Sequence, residues 1–248
     1  MYLTANILPH NDDIEEFEEF VKDIKNYGFD AVLVADLGLF DMMQELAPEI
    51  PIHVSTQANN INYRSAIKWY KMGATRVVLA REMSFKEIAE FQKKIPEDLE
   101  LEAFIHGAMC ISYSGRCLLS NYMTGRDSNM GACAHPCRWN YKLVEETRPG
   151  EYMDVFENER GTFIFNSKDL CTIRHIPELV QSGIASLKIE GRVKTSYYVA
   201  TVVGAYRREI DRYCADPENY VFNEAEYEEL CKVSHRPYTT GFISASPM

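Results

Sequence analysis

The chain has 248 residues, of which 46% are hydrophobic and 12% aromatic, and its formal net charge is −11. A chain of this length buries a core large enough to fold without disulfides, so one large globular domain is expected. The acidic balance argues against indiscriminate nucleic-acid binding, and no apolar run approaches the roughly 20 residues that a membrane span needs. The N-terminus also lacks a signal-peptide pattern, which predicts a cytoplasmic protein.

Short apolar or β-branched segments alternate along the chain with segments of helical periodicity. The predicted strands are Tyr2–Leu8, Ala31–Val34, Ile52–Ser55, Arg76–Leu79, Leu101–His106, Thr162–Asn166 and Ser186–Ile189. The predicted helices are Ile14–Ile24, Phe40–Leu46, Tyr63–Lys71, Phe85–Lys93, Ile173–Ser182, Tyr197–Tyr213 and Glu224–Lys232. This order is typical of parallel strands with helical crossovers, in either a closed (β/α) barrel or an open doubly wound sheet.

The predicted strands do not complete an eight-stranded barrel, and the chain opens almost directly in a strand, so we expect early strands to be missing at the N-terminus. No G-x-G-x-x-G follows a strand, which disfavours a dinucleotide-binding sheet. The long interruption at 107–161 is rich in Cys, Gly and Arg and is interpreted as an insertion ordered around a ligand, with a hairpin near Tyr141–Glu145. We predict a barrel-like domain over 1–213 and a helical and turn-like C-terminal extension over 214–248.

Polar residues alternate with apolar ones on three predicted strands. Glu102, Phe104 and His106 share one parity, as do Ser186, Lys188, Glu190 and Arg192, and as do His53, Ser55 and Gln57. Strand side chains alternate between two faces, so these groups are expected to point the same way, into a functional cavity. The alternative is an internal salt-bridge network that pairs Lys188 with Glu102 or Glu190. Asp36 and Arg81 follow strands directly and are assigned to the rim of the same cavity.

Seven cysteines in a reducing compartment favour metal or redox chemistry over disulfides. Those from the long interruption onward are Cys110, Cys117, Cys133, Cys137 and Cys171. Four thiolates suit a [4Fe–4S] cluster or a structural zinc, and the absence of a tight C-x2-C favours the cluster. Small buried core residues remain the alternative for Cys110 and Cys171, and Cys214 and Cys231 are interpreted as ordinary helix residues.

Cations surround the cysteines, although the chain as a whole is acidic. They are Arg116, Arg126, Arg138, Lys142, Arg148, Lys168 and Arg174. A phosphate-bearing substrate held by one face is one interpretation, and ordinary surface arginines are the other. No H-E-x-x-H or G-x-S-x-G is present, so a protease would have to use a Cys/His pair such as Cys137 with His106 or Cys110 with His175.

Several long motifs resemble the collagenase-like peptidase family U32, and the resemblance spans nearly the whole chain. They are Glu102–Ser120 (EAFIHGAMCISYSGRCLLS), Ser55-Thr56-Gln57, Ala80-Arg81-Glu82, Asn166–Cys171, Lys188–Arg192, His235-Arg236 and Thr239–Phe242. Gly131-Ala132-Cys133 followed by Cys137-Arg138-Trp139 is most similar to the branch that hydroxylates C5 of the wobble uridine of tRNA. Members of the family normally begin about three strand units earlier, and this chain departs from them at both ends.

The resemblance implies a TIM-barrel-like catalytic domain and, in several members, a [4Fe–4S] cluster. Carried over by motif, its ligands are Cys110, Cys117, Cys133 and Cys171, with Cys137 competing for one place. The residues assigned to the catalytic cavity are Glu102, His106, Lys188, Glu190 and Arg192. The residues assigned to substrate binding are Gln57, Arg81, Arg116, Arg138 and Lys168. In the tRNA-hydroxylating branch prephenate is implied as a required metabolite and a candidate co-substrate.

Three functional hypotheses follow. The first is an RNA-modifying hydroxylase that acts on tRNA. The second is a collagenase-like protease of unknown catalytic type. The third is a metal-stabilised, non-catalytic subunit that needs a homologous partner chain or a second copy of itself.

Overall fold

The structure of the protein is a computed structural model. It describes residues 1–110, 112–139, 141–143, 146–147, 149–150, 153–154, 157–158, 161–162 and 168–243. Of the sequence predictions, Arg148 and nearly all of the strand Thr162–Asn166 lie outside these residues, as do the last two residues of the hairpin Tyr141–Glu145.

Strands and helices alternate regularly through the first 108 residues. They are β1 (Tyr2–Ala5), α1 (Asn11–Ile24), β2 (Ala31–Val34), α2 (Leu37–Leu46), β3 (Ile52–Val54), α3 (Tyr63–Lys71), β4 (Ala74–Val78), α4 (Phe85–Gln92) and β5 (Glu100–Ala108). A short 3-10 turn, Thr56–Ala58, follows β3. The alternation predicted from hydrophobic periodicity is confirmed here, and the ends of the elements differ by a few residues.

The second half of the chain is less regular. Its elements are α5 (Leu119–Thr124), β6 (Lys142–Leu143), β7 (Met153–Asp154), β8 (Glu157–Asn158), β9 (Gly161–Thr162), β10 (Asp169–Cys171), α6 (Ile176–Gln181), β11 (Ser186–Ile189), α7 (Ser196–Ala215), α8 (Glu224–Lys232) and β12 (Tyr238–Thr239). Two further 3-10 turns cover Pro136–Arg138 and Ile173–His175. β6 pairs with β7 and β8 with β9 in two small antiparallel sheets. The sequence did not predict β10 or β12.

One mixed sheet organises the described residues. Strands β1 to β5 are parallel in chain order, and β11 is parallel to β5. β10 runs antiparallel to the last residues of β5, and β12 pairs with β10. No pairing between β1 and β11 occurs in the part of the chain that is described, so the sheet is open there. The fold is thus mixed α/β with a mainly parallel sheet, and barrel closure stays a prediction.

Local sequence sets the helix boundaries. At α4, Ser84 and Glu87 form a reciprocal capping box, which satisfies two backbone N–H groups that the helix leaves unpaired. At α2, the carboxylate of Asp36 accepts hydrogen bonds from the backbone N–H of Gly38 at 2.8 Å and of Leu39 at 3.2 Å. Asp36, assigned to the cavity rim from its position, is therefore a helix cap in this structure.

The described residues form two large apolar cores and one small cluster, the latter made of Leu33, Val78, Phe104, Met109 and Leu170. The first lies between β1–β5 and α1–α4 and contains the fully buried Leu39, Phe40 and Val54. The second joins β5 and β10 to α6, α7 and α8 and contains Ile105, Tyr198 and Leu230. Residues after 213 contribute Leu230, Val233 and Ile243 to the second core. Within the described ranges, no helix has the length and apolar character to cross a membrane.

Two leucines of α2 give a matched test of the first core. Leu39 is fully buried, whereas Leu37 is 58% exposed on the same helix. We expect Leu39→Ala to lower the free energy of unfolding by about 2–5 kcal/mol, because it leaves a cavity. Leu37→Ala should change it by less than about 0.5 kcal/mol. Urea unfolding followed by circular dichroism measures both, and equal effects would contradict this placement of α2.

Candidate functional site

A cavity of about 560 Å³ lies where the parallel strands end. Its walls come from residues that follow β1, β3 and β4, from the ends of β5 and β11, and from the segment 109–138. The carboxyl ends of parallel strands meet at one edge of a sheet, which brings these side chains together although they are far apart in sequence. The sequence-predicted residues that line it are Gln57, Arg81, Cys110, Cys117, Cys133, Cys137, Arg138, Lys188, Glu190 and Arg192.

Four cysteines line this cavity: Cys110, Cys117, Cys133 and Cys137. Cys110 is exposed as a residue, but desolvation of its thiol within the cavity raises its pKa; the nearby Arg81 acts against this, and Cys137, Cys117 and Cys133 raise the pKa further. Two of the sulfurs accept backbone hydrogen bonds, Cys117 from Leu119 N–H and Cys133 from His135 N–H, both at 3.4 Å. Such N–H groups stabilise negative charge on sulfur.

Cys171 lies elsewhere, so the ligand set carried over by motif does not share one site. It sits on β10, paired in register with His106 of β5, and belongs to the second apolar core. Its thiol is buried beside the Tyr206 hydroxyl, and burial raises its pKa. The physical reason is the antiparallel return of β10 along β5, which carries the chain from Asp169 away from the cavity. Cys137 takes the fourth place around the cavity.

The segment that carries the cysteines is tied to both edges of the open sheet. Asn129 accepts a hydrogen bond from Leu8 N–H at 2.9 Å and donates one to Leu8 O at 3.0 Å, just beyond β1. Arg192, just beyond β11, donates to the carbonyl of Gly131. Neither contact was predicted, because asparagine and glycine in a loop carry no sequence signal for the distant strand they meet.

Arg81 is the most enclosed cation of the cavity, with only 9% of its side chain exposed. Its guanidinium donates to the Ser114 hydroxyl at 2.7 Å, lies 3.8 Å from the centre of the Phe104 ring and is 3.7 Å from a Glu190 carboxylate oxygen. Burial lowers the pKa of Arg81, and Cys110 and Glu190 act against that shift. A buried cation this close to an aromatic face is strongly fixed in position.

Glu102 does not line the cavity, and its carboxylate instead forms ion pairs beneath it. Its carboxylate pairs with Lys188 at 2.8 Å and Arg76 at 3.3 Å and accepts a hydrogen bond from Ser186 at 2.8 Å. Burial alone would raise the pKa of Glu102, but Lys188, Ser186 and Arg76 together lower it. The internal salt-bridge network, the alternative to a functional role, is thus present for Glu102. Lys188 belongs both to this salt-bridge network and to the cavity wall.

His106 points away from the cavity, so the parity prediction fails for this residue. The register between β5 and β11 shifts at Lys188/Ile189, and Ile105 and His106 both face the second core after that bulge. The His106 ring lies 5.5 Å from Tyr206, 5.3 Å from Tyr238 and 6.1 Å from Tyr198. Sequence alternation carries no information about an extra residue in a strand, which is why this inversion was missed.

The end of β11 approaches β5 closely at the cavity. Glu190 N–H donates to His106 O at 2.9 Å. Gly107 has φ +102°, and a Cβ there would lie 2.3 Å from the Glu190 carbonyl oxygen. Only glycine permits both that backbone conformation and that approach. The Glu190 carboxylate in turn accepts the Arg192 N–H at 2.8 Å, so the strand end is held from two sides.

Two of the predicted substrate-binding residues do not line the cavity. Arg116 and Lys168 are both exposed on the surface. Gln57 lines it beside Gly115, whose Cβ position would be 2.9 Å from the Gln57 side-chain nitrogen. The sequence missed Asn6, Ser114 and Asn129 as lining residues. Ser114 lay inside the recognised motif Glu102–Ser120 and could have been found there.

The donor set fits a soft metal centre better than a preformed single-ion site. Four thiols, two of them already accepting N–H hydrogen bonds, are typical ligands of iron–sulfur clusters and zinc. Among the described residues, however, no three His, Cys, Asp or Glu side chains are close enough to hold one ion. The four thiols that line the cavity are of the soft type that suits either an iron–sulfur cluster or zinc.

Comparison with known proteins assigns the chain to a class. The family profile described as peptidase family U32 matches residues 1–248. The chain therefore belongs to peptidase family U32.

Individual relatives agree with that assignment. The tRNA hydroxylation protein P1 of Bacillus subtilis (strain 168) is 44% identical over 247 residues, which cover 100% of this chain and 58% of that protein. The tRNA hydroxylation protein P of Escherichia coli (strain K12) is 40% identical over 98% of this chain and 61% of its own length. The 23S rRNA 5-hydroxycytidine C2501 synthase of Escherichia coli (strain K12) is 32% identical over 85% of this chain and 30% of its own length. The chain thus spans less than two thirds of these proteins.

The environment of His106 predicts an acid-dependent loss of stability. Burial lowers the pKa of His106 to about 3, from an ordinary value of 6.5. The unfolded chain then binds a proton between these values that the folded chain does not, so stability falls with decreasing pH by up to about 1.4 kcal/mol per unit. We expect His106→Gln to make urea unfolding less steeply dependent on pH between 6.5 and 3 than in the wild type.

The control for this experiment is Tyr198→Phe. It alters the same aromatic cluster but removes a group whose pKa is raised to about 12, so the steep dependence should persist. An unchanged slope in His106→Gln would contradict the neutral, buried histidine.

Proposed function

We propose that this chain is the cysteine-bearing part of an RNA hydroxylase that modifies C5 of the wobble uridine of tRNA. The observation that carries the proposal is the cavity, where four thiols and the cations Arg81, Arg138, Lys188 and Arg192 meet at the strand ends. The names of the tRNA- and rRNA-hydroxylating relatives support the same reaction class. The chain is shorter than those proteins, so the proposal concerns its contribution to the whole activity.

The proposed cofactor is a [4Fe–4S] cluster held by Cys110, Cys117, Cys133 and Cys137, with zinc as the alternative. When bound, such a cluster supplies electron transfer. The backbone N–H groups of Leu119 and His135 and the guanidinium of Arg81 would offset the negative charge that four thiolates bring into the cavity. This set replaces Cys171 by Cys137.

The cavity also fits a small anionic co-substrate, and prephenate, a dicarboxylate, remains the proposed one. Arg81 and Lys188 are each held by a carboxylate partner, at 3.7 Å and 2.8 Å, which fixes their charges at the floor of the cavity. Planar guanidinium groups bind carboxylates through paired hydrogen bonds. Arg138 and Arg192 line the same space. Glu190 is the carboxylate available to orient a hydroxyl group or to accept a proton in this cavity.

The two Cys/His pairs that the sequence suggested for a protease do not form. His106, the partner suggested for Cys137, faces Tyr206 and Tyr238 instead of the cavity. His175, the partner suggested for Cys110, lies against Phe85 and Glu178. The remaining hypothesis is a non-catalytic subunit that needs a homologous partner or a second copy. Hydroxylation by the isolated, monomeric chain would contradict it.

Deletion of the gene tests the reaction. We expect 5-hydroxyuridine to disappear from the wobble position of bulk tRNA in the deletion strain, and to return when the gene is supplied on a plasmid. Nucleoside mass spectrometry measures the modified base. A plasmid carrying Arg81→Met serves as the comparison, because this variant removes the enclosed cation and should not restore the modification. Wild-type levels of 5-hydroxyuridine in the deletion strain would reject the proposed function.

Two equally buried cysteines test the ligand set. Cys137 is 8% and Cys171 is 7% exposed, so their alanine variants remove the same atom at matched burial, one from the cavity and one from the second core. After anaerobic purification, Cys137→Ala should lose most of its iron and sulfide and the visible absorbance of the cluster. Cys171→Ala should retain all three. The reverse result would show that Cys171, and not Cys137, is the fourth ligand. Zinc without iron in the wild-type protein would show that the site holds zinc instead of a cluster.

A further inference from the structure

The large exposed apolar side chains of the chain include a group on the segment that covers the cavity. Tyr122 is 86% and Leu118 is 77% exposed, and Tyr113, Met123, Met130 and Trp139 are each more than two fifths exposed. Single exposed apolar residues are normal on protein surfaces, but several on one short segment indicate a contact surface. We call these six residues the aromatic surface.

Hydrogen bonds hold this segment together as one folded unit. The Ser120 hydroxyl donates to Arg126 O at 2.7 Å and accepts from Ala134 N–H at 2.9 Å, which fixes α5 against the turn that contains Cys133. The Ser128 hydroxyl donates to Cys117 O at 2.7 Å. The exposed rings are therefore presented by a fixed backbone, and stacking partners presented in this way lose little conformational freedom on binding.

The charge of the segment is opposite to that of the whole chain. Between residues 112 and 143 the cations are Arg116, Arg126, Arg138 and Lys142, and the one acidic residue is Asp127, in a chain of net charge −11. Arg116 and Arg126 are exposed. A locally cationic surface on an acidic protein is complementary to a polyanion.

We propose that the aromatic surface binds single-stranded RNA beside the cavity, with Tyr122 and Trp139 stacking on bases and Arg116 and Arg126 neutralising phosphates. This inference rests on the proposed function, because it assigns the RNA to a particular face of the same site. It also gives Arg116 a role outside the cavity, which agrees with its position. RNA loops are bound in this way by aromatic platforms flanked by cations.

One member of the aromatic surface, Met130, lines the cavity itself. Leu119 and Met130 line the cavity from the same segment, and Arg138, which lines it too, directly precedes Trp139. The Trp139 ring is stacked with Tyr141, with 6.4 Å between centroids and 26° between planes. An enzyme that modifies a base must take that base out of its stack. Rings at the mouth of the cavity would hold the neighbouring bases while the target base enters.

Binding of RNA to the full chain tests this surface. The probe is a fluorescently labelled, unmodified tRNA anticodon stem–loop with a wobble uridine, and the readout is anisotropy at several salt concentrations. Tyr122→Ala should weaken binding by roughly 5- to 150-fold, the effect of losing one base–aromatic stack. Tyr122→Phe should bind like the wild type, because the ring and not the hydroxyl carries the interaction. Each of Arg116→Ala and Arg126→Ala should reduce the slope of log affinity against log salt by about 0.7.

Tyr27→Ala is the matched control, since Tyr27 is 64% exposed but lies beyond α1 and far in sequence from the cysteines. It should leave RNA affinity unchanged. If Tyr122→Ala binds the stem–loop as tightly as the wild type, the surface is rejected while loss of 5-hydroxyuridine on deletion would still support the hydroxylase. If Tyr122→Ala instead loses a protein partner and keeps RNA binding, the partner class proposed here is wrong. A deletion strain with normal tRNA would reject the hydroxylase itself.

Discussion

Strand β5 carries the constraint on which the rest of the structure depends, because it pairs with three other strands. Its first residues bond β4, its middle bonds β11 in parallel, and its last residues bond β10 in the opposite direction. These pairings satisfy buried backbone groups that would otherwise each cost a lost hydrogen bond. They also decide what reaches the cavity, since Phe104 faces it and Ile105 and His106 face the second core.

Electrostatic compensation allows this interior to be polar. Glu102, Arg76 and Lys188 are buried or half-buried together, and each charge has an opposite partner within 3.3 Å. Isolated, any one of them would cost several kcal/mol to bury. Arg81 is compensated differently, by a hydroxyl, an aromatic face and a more distant carboxylate. Of the two cations at the cavity floor, Arg81 and Lys188, Arg81 is therefore the one with the more distant carboxylate partner.

Sequence reasoning predicted the repeating units and much of the cavity, and the reasons for its failures are physical. Periodicity located the strand and helix pairs up to residue 108. The residues Gln57, Arg81, Lys188, Glu190 and Arg192, assigned to the site from parity, position and motif, line the cavity in the structure. His106 was misplaced because a bulge shifts the register of β5 against β11. Cys171, assigned as a ligand from its motif, lies in the second core because β10 runs antiparallel to β5, and spacing in the sequence does not encode that course. Asp36 shows that a residue following a strand can equally well start the next helix.

The two contacts that tie the cysteine segment to the sheet have a mechanical consequence. Asn129 holds the chain just beyond β1 and Gly131 holds it just beyond β11, and these are the two strands between which no described backbone pairing exists. Three consecutive residues thus link the first and last parallel strands across the open side of the sheet. A change in the conformation of this loop would therefore be transmitted as a change in the spacing between those two strands.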